Sequence, residues 1–183
     1  MNLIVAVDQN WGIGKGNQLL YHVAPDMRYF LGKTSDGVVI MGRKTMESLP
    51  GALPLRNRIN VVLTHTPERL VANTGIEGAG QTGSGFLFCE GIAGLAPLLK
   101  GLPIDTDRVW VIGGGAIYAL LAPYCREAYV TKLYAADTGA DRWMPNLDAA
   151  DAWAMVEVSA VQDGGGIGFA FCRYVNRDVK MLP

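Results

Sequence analysis

Val109-Trp110-Val111-Ile112-Gly113-Gly114-Gly115-Ala116-Ile117-Tyr118 runs from an unbroken apolar stretch through three glycines into a helix-forming stretch. The apolar residues are continuous, not alternating, which suits a strand covered on both faces, as in a parallel sheet between layers. A helix that starts directly after such a strand presents unpaired N–H groups and the positive end of its dipole. Glycine there lets an anionic group come close. A plain tight strand–helix turn accounts for the same letters equally well.

Similar runs recur on either side. Candidate strands are Leu3–Val7, Val38–Met41, Ile59–Leu63, Phe86–Cys89, Tyr129–Leu133, Val156–Val161 and Phe169–Val175. Helix-length stretches lie between them at Pro25–Lys33, Arg43–Ser48, Ile92–Lys100 and Ala116–Ala122, the third interrupted by Pro97. Strand alternating with helix predicts an α/β protein with a mainly parallel central β-sheet of about eight strands flanked by helices. The last two strands have only Asp163-Gly164-Gly165-Gly166 to turn on, so they are expected to form an antiparallel C-terminal hairpin. Asn73–Gly85 carries five glycines among few apolar residues and reads as a glycine-rich surface loop. The strand pattern resumes directly after it, so 1–183 is expected to be a single domain.

Composition narrows the function classes. The chain has 183 residues, 16 Lys+Arg against 17 Asp+Glu and 50% hydrophobic residues. A near-zero net charge without a basic stripe gives no support for a nucleic-acid or acidic-membrane partner. Cys89, Cys125 and Cys172 are far apart, and His22 and His65 are the only histidines, so neither a disulfide framework nor a metal site is expected. The N-terminus lacks a basic leader region, and no apolar run reaches the roughly 18 residues of a membrane span. A soluble, cytoplasmic protein is expected. Glycine is in excess, at 23 residues, where a background of about 7% gives about 13.

A second strand–glycine–helix turn is Val38-Val39-Ile40-Met41-Gly42-Arg43-Lys44-Thr45. Cations at a helix start oppose the dipole, which makes sense where an anionic ligand arrives, although a solvated surface pair is the commoner fate of Arg-Lys. Two such turns suggest a pyrophosphate-bridged dinucleotide, and Arg43 and Lys44 with Thr64 and His65 favour NADP over NAD. Gly32-Lys33-Thr34 resembles the tail of a phosphate-binding loop but follows a helix, so it reads as a helix C-terminus. Gly12-Ile13-Gly14-Lys15-Gly16-Asn17 follows a strand but opens no helix, and a mobile glycine loop is expected. Asp26 opens the helix Met27-Arg28-Tyr29-Phe30-Leu31. A first-turn carboxylate is ordinary in itself, but apolar Met27, Phe30 and Leu31 beside it would raise its pKa and suit it to bind or protonate a nitrogen heterocycle.

Several of these segments, in order from Leu3 to about Tyr174, resemble dihydrofolate reductases. They are Ile4-Val5-Ala6-Val7-Asp8, Ile13-Gly14, Asn17 to His22, Asp26-Met27 with Phe30, Val39 to Ser48, Arg58 to Thr64, Val111 to Tyr118, and Tyr129-Val130-Thr131. The resemblance implies NADPH-dependent reduction of 7,8-dihydrofolate to 5,6,7,8-tetrahydrofolate, with hydride delivered to C6 and a proton to N5. It implies that Asp26 is the active-site acid, that Thr131 supports it, and that Tyr21 stands where a tryptophan N–H usually holds an ordered water. Arg58 would pair with the α-carboxylate of the glutamate tail. Val5, Met27, Phe30, Leu49, Leu55, Ile112 and Tyr118 would wall the substrate. For the cofactor, Ala6, Ile13, Gly14 and Leu19 would flank nicotinamide and ribose. Gly42, Arg43, Lys44, Thr45, Leu63, Thr64 and His65 would hold the adenosine half. Ile112, Gly113, Gly114, Gly115, Ala116, Ile117 and Tyr118 would take the pyrophosphate and nicotinamide side. A monomer is expected.

The chain departs from the family at Leu19-Leu20-Tyr21, usually Leu-Pro-Trp, which predicts altered loop dynamics or inhibitor response without loss of activity. Ala140-Asp141-Arg142 replaces Gly-Asp-Thr and puts contacts to the active-site loop in question. Two rival readings are the same-fold reductase of riboflavin synthesis and a non-catalytic NADPH-binding module. Asp26 with Arg58 argues against the first, because both match the pterin and glutamate contacts, and a binding module has no need of Asp26, Phe30 and Arg58 together.

Overall fold

The computed structural model describes residues 1–66 and 85–183. The candidate glycine-rich loop Asn73–Gly85 lies outside the described residues but for Gly85.

The apolar runs become strands because both of their faces are covered. β1 (Asn2–Val7), β4 (Val38–Gly42), β5 (Ile59–Thr64) and β7 (Val109–Gly113) are almost wholly buried. β6 (Phe86–Glu90) and β8 (Glu127–Leu133) join them, giving the parallel order β8-β1-β7-β4-β5-β6. β12 (Gly168–Asn176) is antiparallel to β8, and β10 (Trp153–Val158) is antiparallel to β12 at the sheet edge. The expected mainly parallel sheet with its antiparallel C-terminal pair is what forms. β10 begins and ends earlier than the Val156–Val161 run, because pairing of Trp153 with Asn176 and of Val158 with Cys172 sets its ends. β11 (Gln162–Asp163) adds a short pairing with the start of β12.

Among the described residues, four α-helices pack on the sheet: α1 (Ala24–Thr34), α2 (Arg43–Ser48), α3 (Leu95–Lys100) and α4 (Gly115–Leu121). α3 starts three residues later than the apolar stretch allows. That start places Pro97 in its first turn, where the missing N–H breaks no helical bond. Gly32-Lys33-Thr34 is the end of α1, as expected.

Chain order and spatial order diverge around β1. The chain leaves β1 for β4, moves outward to β5 and β6, then returns to insert β7 between β1 and β4. In open parallel sheets, ligands bind outside the carboxyl ends of strands at such a switch point. Those ends are Val7, Gly42 and Gly113. The register of β4 with β7 slips there, from Ile40 opposite Val111 to Met41 opposite Gly113.

The segment expected to be a mobile glycine loop is partly a strand. β2 (Gly12–Lys15) lies between β3 (Gln18–Leu19) and β9 (Arg142–Trp143) in a small second sheet. Its pairing with β9 crosses more than a hundred residues of sequence, which local composition does not reveal. Among the described residues, no helix is long and apolar enough to cross a membrane.

Candidate active site

α1 carries the acid. Val23 precedes the helix, Pro25 sits in its first turn, and Asp26 follows where the dipole favours a carboxylate. Asp26, Phe30 and Thr34 are spaced by four, so they share one face of α1. From β8, Thr131, only 1% exposed, reaches that face and donates its hydroxyl to Asp26 Oδ1 at 2.6 Å. Burial raises the pKa of Asp26, and the Thr131 hydrogen bond works against that rise by favouring the ionised form.

Next along the stripe, Phe30 packs with Leu49, Leu55 and Ile112 against a cluster that includes Ile4 and Met46. At the far end stands Arg58. Its Nη1 donates to Thr34 Oγ1 at 3.0 Å and its Nε to the Arg56 carbonyl at 3.0 Å. Thr34 is fully buried and donates its own hydroxyl to the Phe30 carbonyl at 2.9 Å. The guanidinium lies 5.8 Å from the Phe30 ring centre, and burial lowers its pKa. Two of its five N–H groups are thereby fixed, leaving donors for an incoming carboxylate. Carboxyl and aromatic ring thus follow one another along α1, and Arg58, from the turn before β5, sets its guanidinium at the end of that stripe.

The structure divides the remaining expected wall residues. Val5 does not join this wall: it belongs to the cluster that contains Leu3, Val7 and Tyr118. Neighbouring strand residues point to opposite faces, so Ile4 is the β1 side chain beside Phe30. Tyr118 is buried, and its hydroxyl donates to the Ile4 carbonyl at 2.7 Å. Leu63 is likewise buried in the Val5 cluster. Met27 is 44% exposed on the rim.

The two glycine turns meet. A Cβ added to Gly42 would stand 2.8 Å from Ile117 Cγ1, and one on Gly114 would stand 3.3 Å from Thr45 Oγ1. The starts of α2 and α4 therefore lie side by side, both opening at the carboxyl edge of the sheet. Gly42 pairs with Leu63, which brings Arg43 and Lys44 next to Thr64 and His65. Arg43 forms an i,i+4 ion pair with Glu47 at 2.5 Å. The first turn of α2 contains no acid. Adjacent helix N-termini, glycines that leave the backbone open and exposed cations fit the phosphates of a dinucleotide.

Over this edge lies the small sheet. Asp8 is 3% exposed, and its Oδ1 accepts from Asn10 N at 2.8 Å and Gly12 N at 2.7 Å. Asp141 accepts from Gly16 N at 3.0 Å, and its own N–H donates to the Gly14 carbonyl at 3.0 Å. The contacts that Ala140 and Arg142 put in question are made, because Asp141 and backbone pairing supply them. Ile13 packs against the Val5 cluster, Leu19 is 53% exposed, and Ala6 and Tyr21 pack against Val23, Leu133 and Phe169. Burial raises the Tyr21 pKa, so its hydroxyl remains a donor. Ile4, Thr34 and Asp141 take places at the site that their sequence motifs do not assign to them. Thr34 had a local signal, eight residues from Asp26 on one helical face.

A family model described as dihydrofolate reductase matches residues 1–176. A dihydrofolate reductase of Bacillus subtilis (strain 168) is 35% identical over 156 residues, covering 85% of this chain and 81% of its own. A bifunctional dihydrofolate reductase-thymidylate synthase of Daucus carota is 37% identical over 158 residues, and the match spans 80% of this chain and 28% of that protein. Among solved structures, a dihydrofolate reductase from Enterococcus faecalis complexed with NADP(H) and RAB-propyl superposes with a TM-score of 0.73. It is 26% identical, and the match covers 97% of this chain and 96% of that one.

Proposed function

The chain belongs to the dihydrofolate reductase family, the NADPH-dependent reductases of 7,8-dihydrofolate to 5,6,7,8-tetrahydrofolate, and from that premise we propose how its residues divide the work. Asp26 accepts from the pterin N3–H and 2-amino group, and Thr131 holds the carboxyl in place for that contact. Phe30, Leu49, Leu55, Ile112 and Ile4 exclude water from the ring's faces, with Met27 at the rim. Arg58, fixed by Thr34, takes the α-carboxylate of the glutamate tail, a task matched to a planar guanidinium. NADPH, once bound, supplies the hydride for C6. We assign the N5 proton to the protonated form of Asp26, which burial maintains to higher pH than in an exposed aspartate, and the carboxylate left after transfer is the form that accepts from both N3–H and the 2-amino group.

Gly42, Arg43, Lys44, Thr45, Thr64 and His65 hold the adenosine half and its 2′-phosphate. Gly113 to Ile117 take the pyrophosphate. Ala6, Ile13, Gly14 and Leu19 cover the nicotinamide end, and Tyr21 orders a water beside the substrate. The observation that carries this reading is the stripe on α1, with Thr131 bonded to Asp26 at one end and Arg58 bonded to Thr34 at the other.

One domain, acting as a monomer in the cytoplasm, completes the proposal. A continuous sheet from β10 to β6 supports the single domain, and three free, buried cysteines belong with a reducing compartment. Purified protein mixed with NADPH and dihydrofolate should oxidise one cofactor for each tetrahydrofolate formed. Well-folded protein that oxidises none would overturn the assignment.

A further inference from the structure

Beside the catalytic stripe, on the neighbouring face of α1, a cavity of about 400 Å³ opens between the helix and strands β8, β10 and β12. Tyr29, Lys33, Tyr129, Phe171, Glu157 and Arg173 line it, and no residue assigned to substrate or cofactor does. Its size is within the range of small-molecule sites, roughly 300–1,000 Å³.

The walls are aromatic. Tyr29 stacks on Phe171 with centroids 4.1 Å apart and planes 26° from parallel. Tyr129 is held edge-on against Trp110 at 5.2 Å, and its hydroxyl donates to Glu127 at 2.6 Å. Lys33 Nζ lies 4.5 Å from the Tyr129 centroid and 5.4 Å from that of Tyr29.

The charges are unequally engaged. Arg173 donates to Glu127 at 2.8 Å and to Glu157 at 2.5 Å, so both carboxylates near the cavity already have a guanidinium. Ser159 Oγ donates to the Ala160 carbonyl at 2.9 Å and accepts from Phe171 N at 3.0 Å. Lys33 rests on ring faces and forms no ion pair among the described residues, although its charge is felt by Glu157. Its three N–H donors, with those that Arg173 has left beyond its two bonds to Glu127 and Glu157, are polar capacity on these walls.

We propose that this cavity is a second binding site, separate from the dihydrofolate crevice, for a planar aromatic monocarboxylate. The ring of such a ligand lies against Tyr29 and Tyr129, and its carboxylate accepts from Lys33. A neutral aromatic of the same shape keeps the ring contacts but loses the charge-assisted bond. Such a bond is worth about 1.5–3 kcal/mol, or roughly 10- to 100-fold in affinity.

The test is calorimetric titration of naphthoate into the full chain saturated with NADP and folate. Binding is expected, with naphthalenemethanol about tenfold weaker or more. Lys33→Gln should bring naphthoate down to the neutral compound, with melting temperature and turnover unchanged. Tyr129→Phe keeps the ring and should keep the binding. Absence of naphthoate binding, equal binding by Lys33→Gln, or displacement of naphthoate by folate would each overturn the proposal. The readout is binding rather than turnover, so its failure is separate from failure of the reductase assignment.

Discussion

Thr131→Val tests the acid more finely than removal of Asp26 does. Valine keeps the branched shape of a side chain that is 1% exposed and deletes only the hydroxyl that donates to Asp26 Oδ1 at 2.6 Å. Burial pushes the Asp26 pKa up, and this bond is the opposing contribution. A hydrogen bond to an ionised group contributes about 1.5–3 kcal/mol. Its loss should strengthen proton binding at Asp26 by roughly 10- to 100-fold. The limb on which activity falls with rising pH, where the acid gives up its proton, should therefore move to higher pH, read from kcat/KM because that ratio reports the free enzyme.

Linkage gives an independent readout of the same change. The native pKa of Asp26 lies above its unfolded value, so its contribution to stability is fully present below the unfolded pKa and lost as pH rises through the native one. Thr131→Val raises the native value further. Its cost should be small in acid and grow towards neutral pH, as followed by melting temperature across pH. A variant that folds and binds NADPH normally but leaves the pH profile unmoved would refute the assignment of Asp26 as the titrating acid.

Asp26→Asn should abolish most turnover at neutral pH while leaving NADPH affinity intact. By the same sign, it should melt higher than the parent at pH 7, with the difference closing towards the ordinary carboxylate value of 3.8; a pH-independent difference would count against a buried charge. Thr34→Val removes the anchor of Arg58 and should raise KM for dihydrofolate by roughly tenfold, yet leave a dihydropterin without the glutamate tail unaffected; equal loss on both substrates would mean a general packing defect. Arg43→Ala should weaken NADPH far more than NADH, and equal losses would remove the 2′-phosphate from this position. Gly115→Ala would set a methyl 2.6 Å from the Trp143 carbonyl, and overpacking of this kind costs about 1–3 kcal/mol; urea unfolding should show that loss.

The parts of the site legible in the sequence are those that one element carries. Asp26 and Phe30 follow the helical period, and each glycine turn is a contiguous strand–turn–helix. Thr131 and Arg58 have no local signature, because their meaning lies in contacts with α1 across 105 and 24 residues. Resemblance to the family points to them where periodicity does not. Tertiary pairing also decided β2, whose glycines suggest a loop until β9 supplies a partner.

Ile4 and Val5 show a sharper limit. On a half-buried strand, polar residues mark the solvent side, and the inward face follows by alternation. β1 is covered on both sides, so Leu3, Ile4, Val5 and Val7 are all apolar and the marker is lost. Which neighbour faces Phe30 is then fixed by the register of β1 with β8, where Ile4 pairs with Tyr129 and Ala6 with Thr131. Ile4 accordingly faces the apolar cluster beside the stripe, and Val5 faces Tyr118. The burial that makes the fold easy to read conceals which of its core residues borders the substrate.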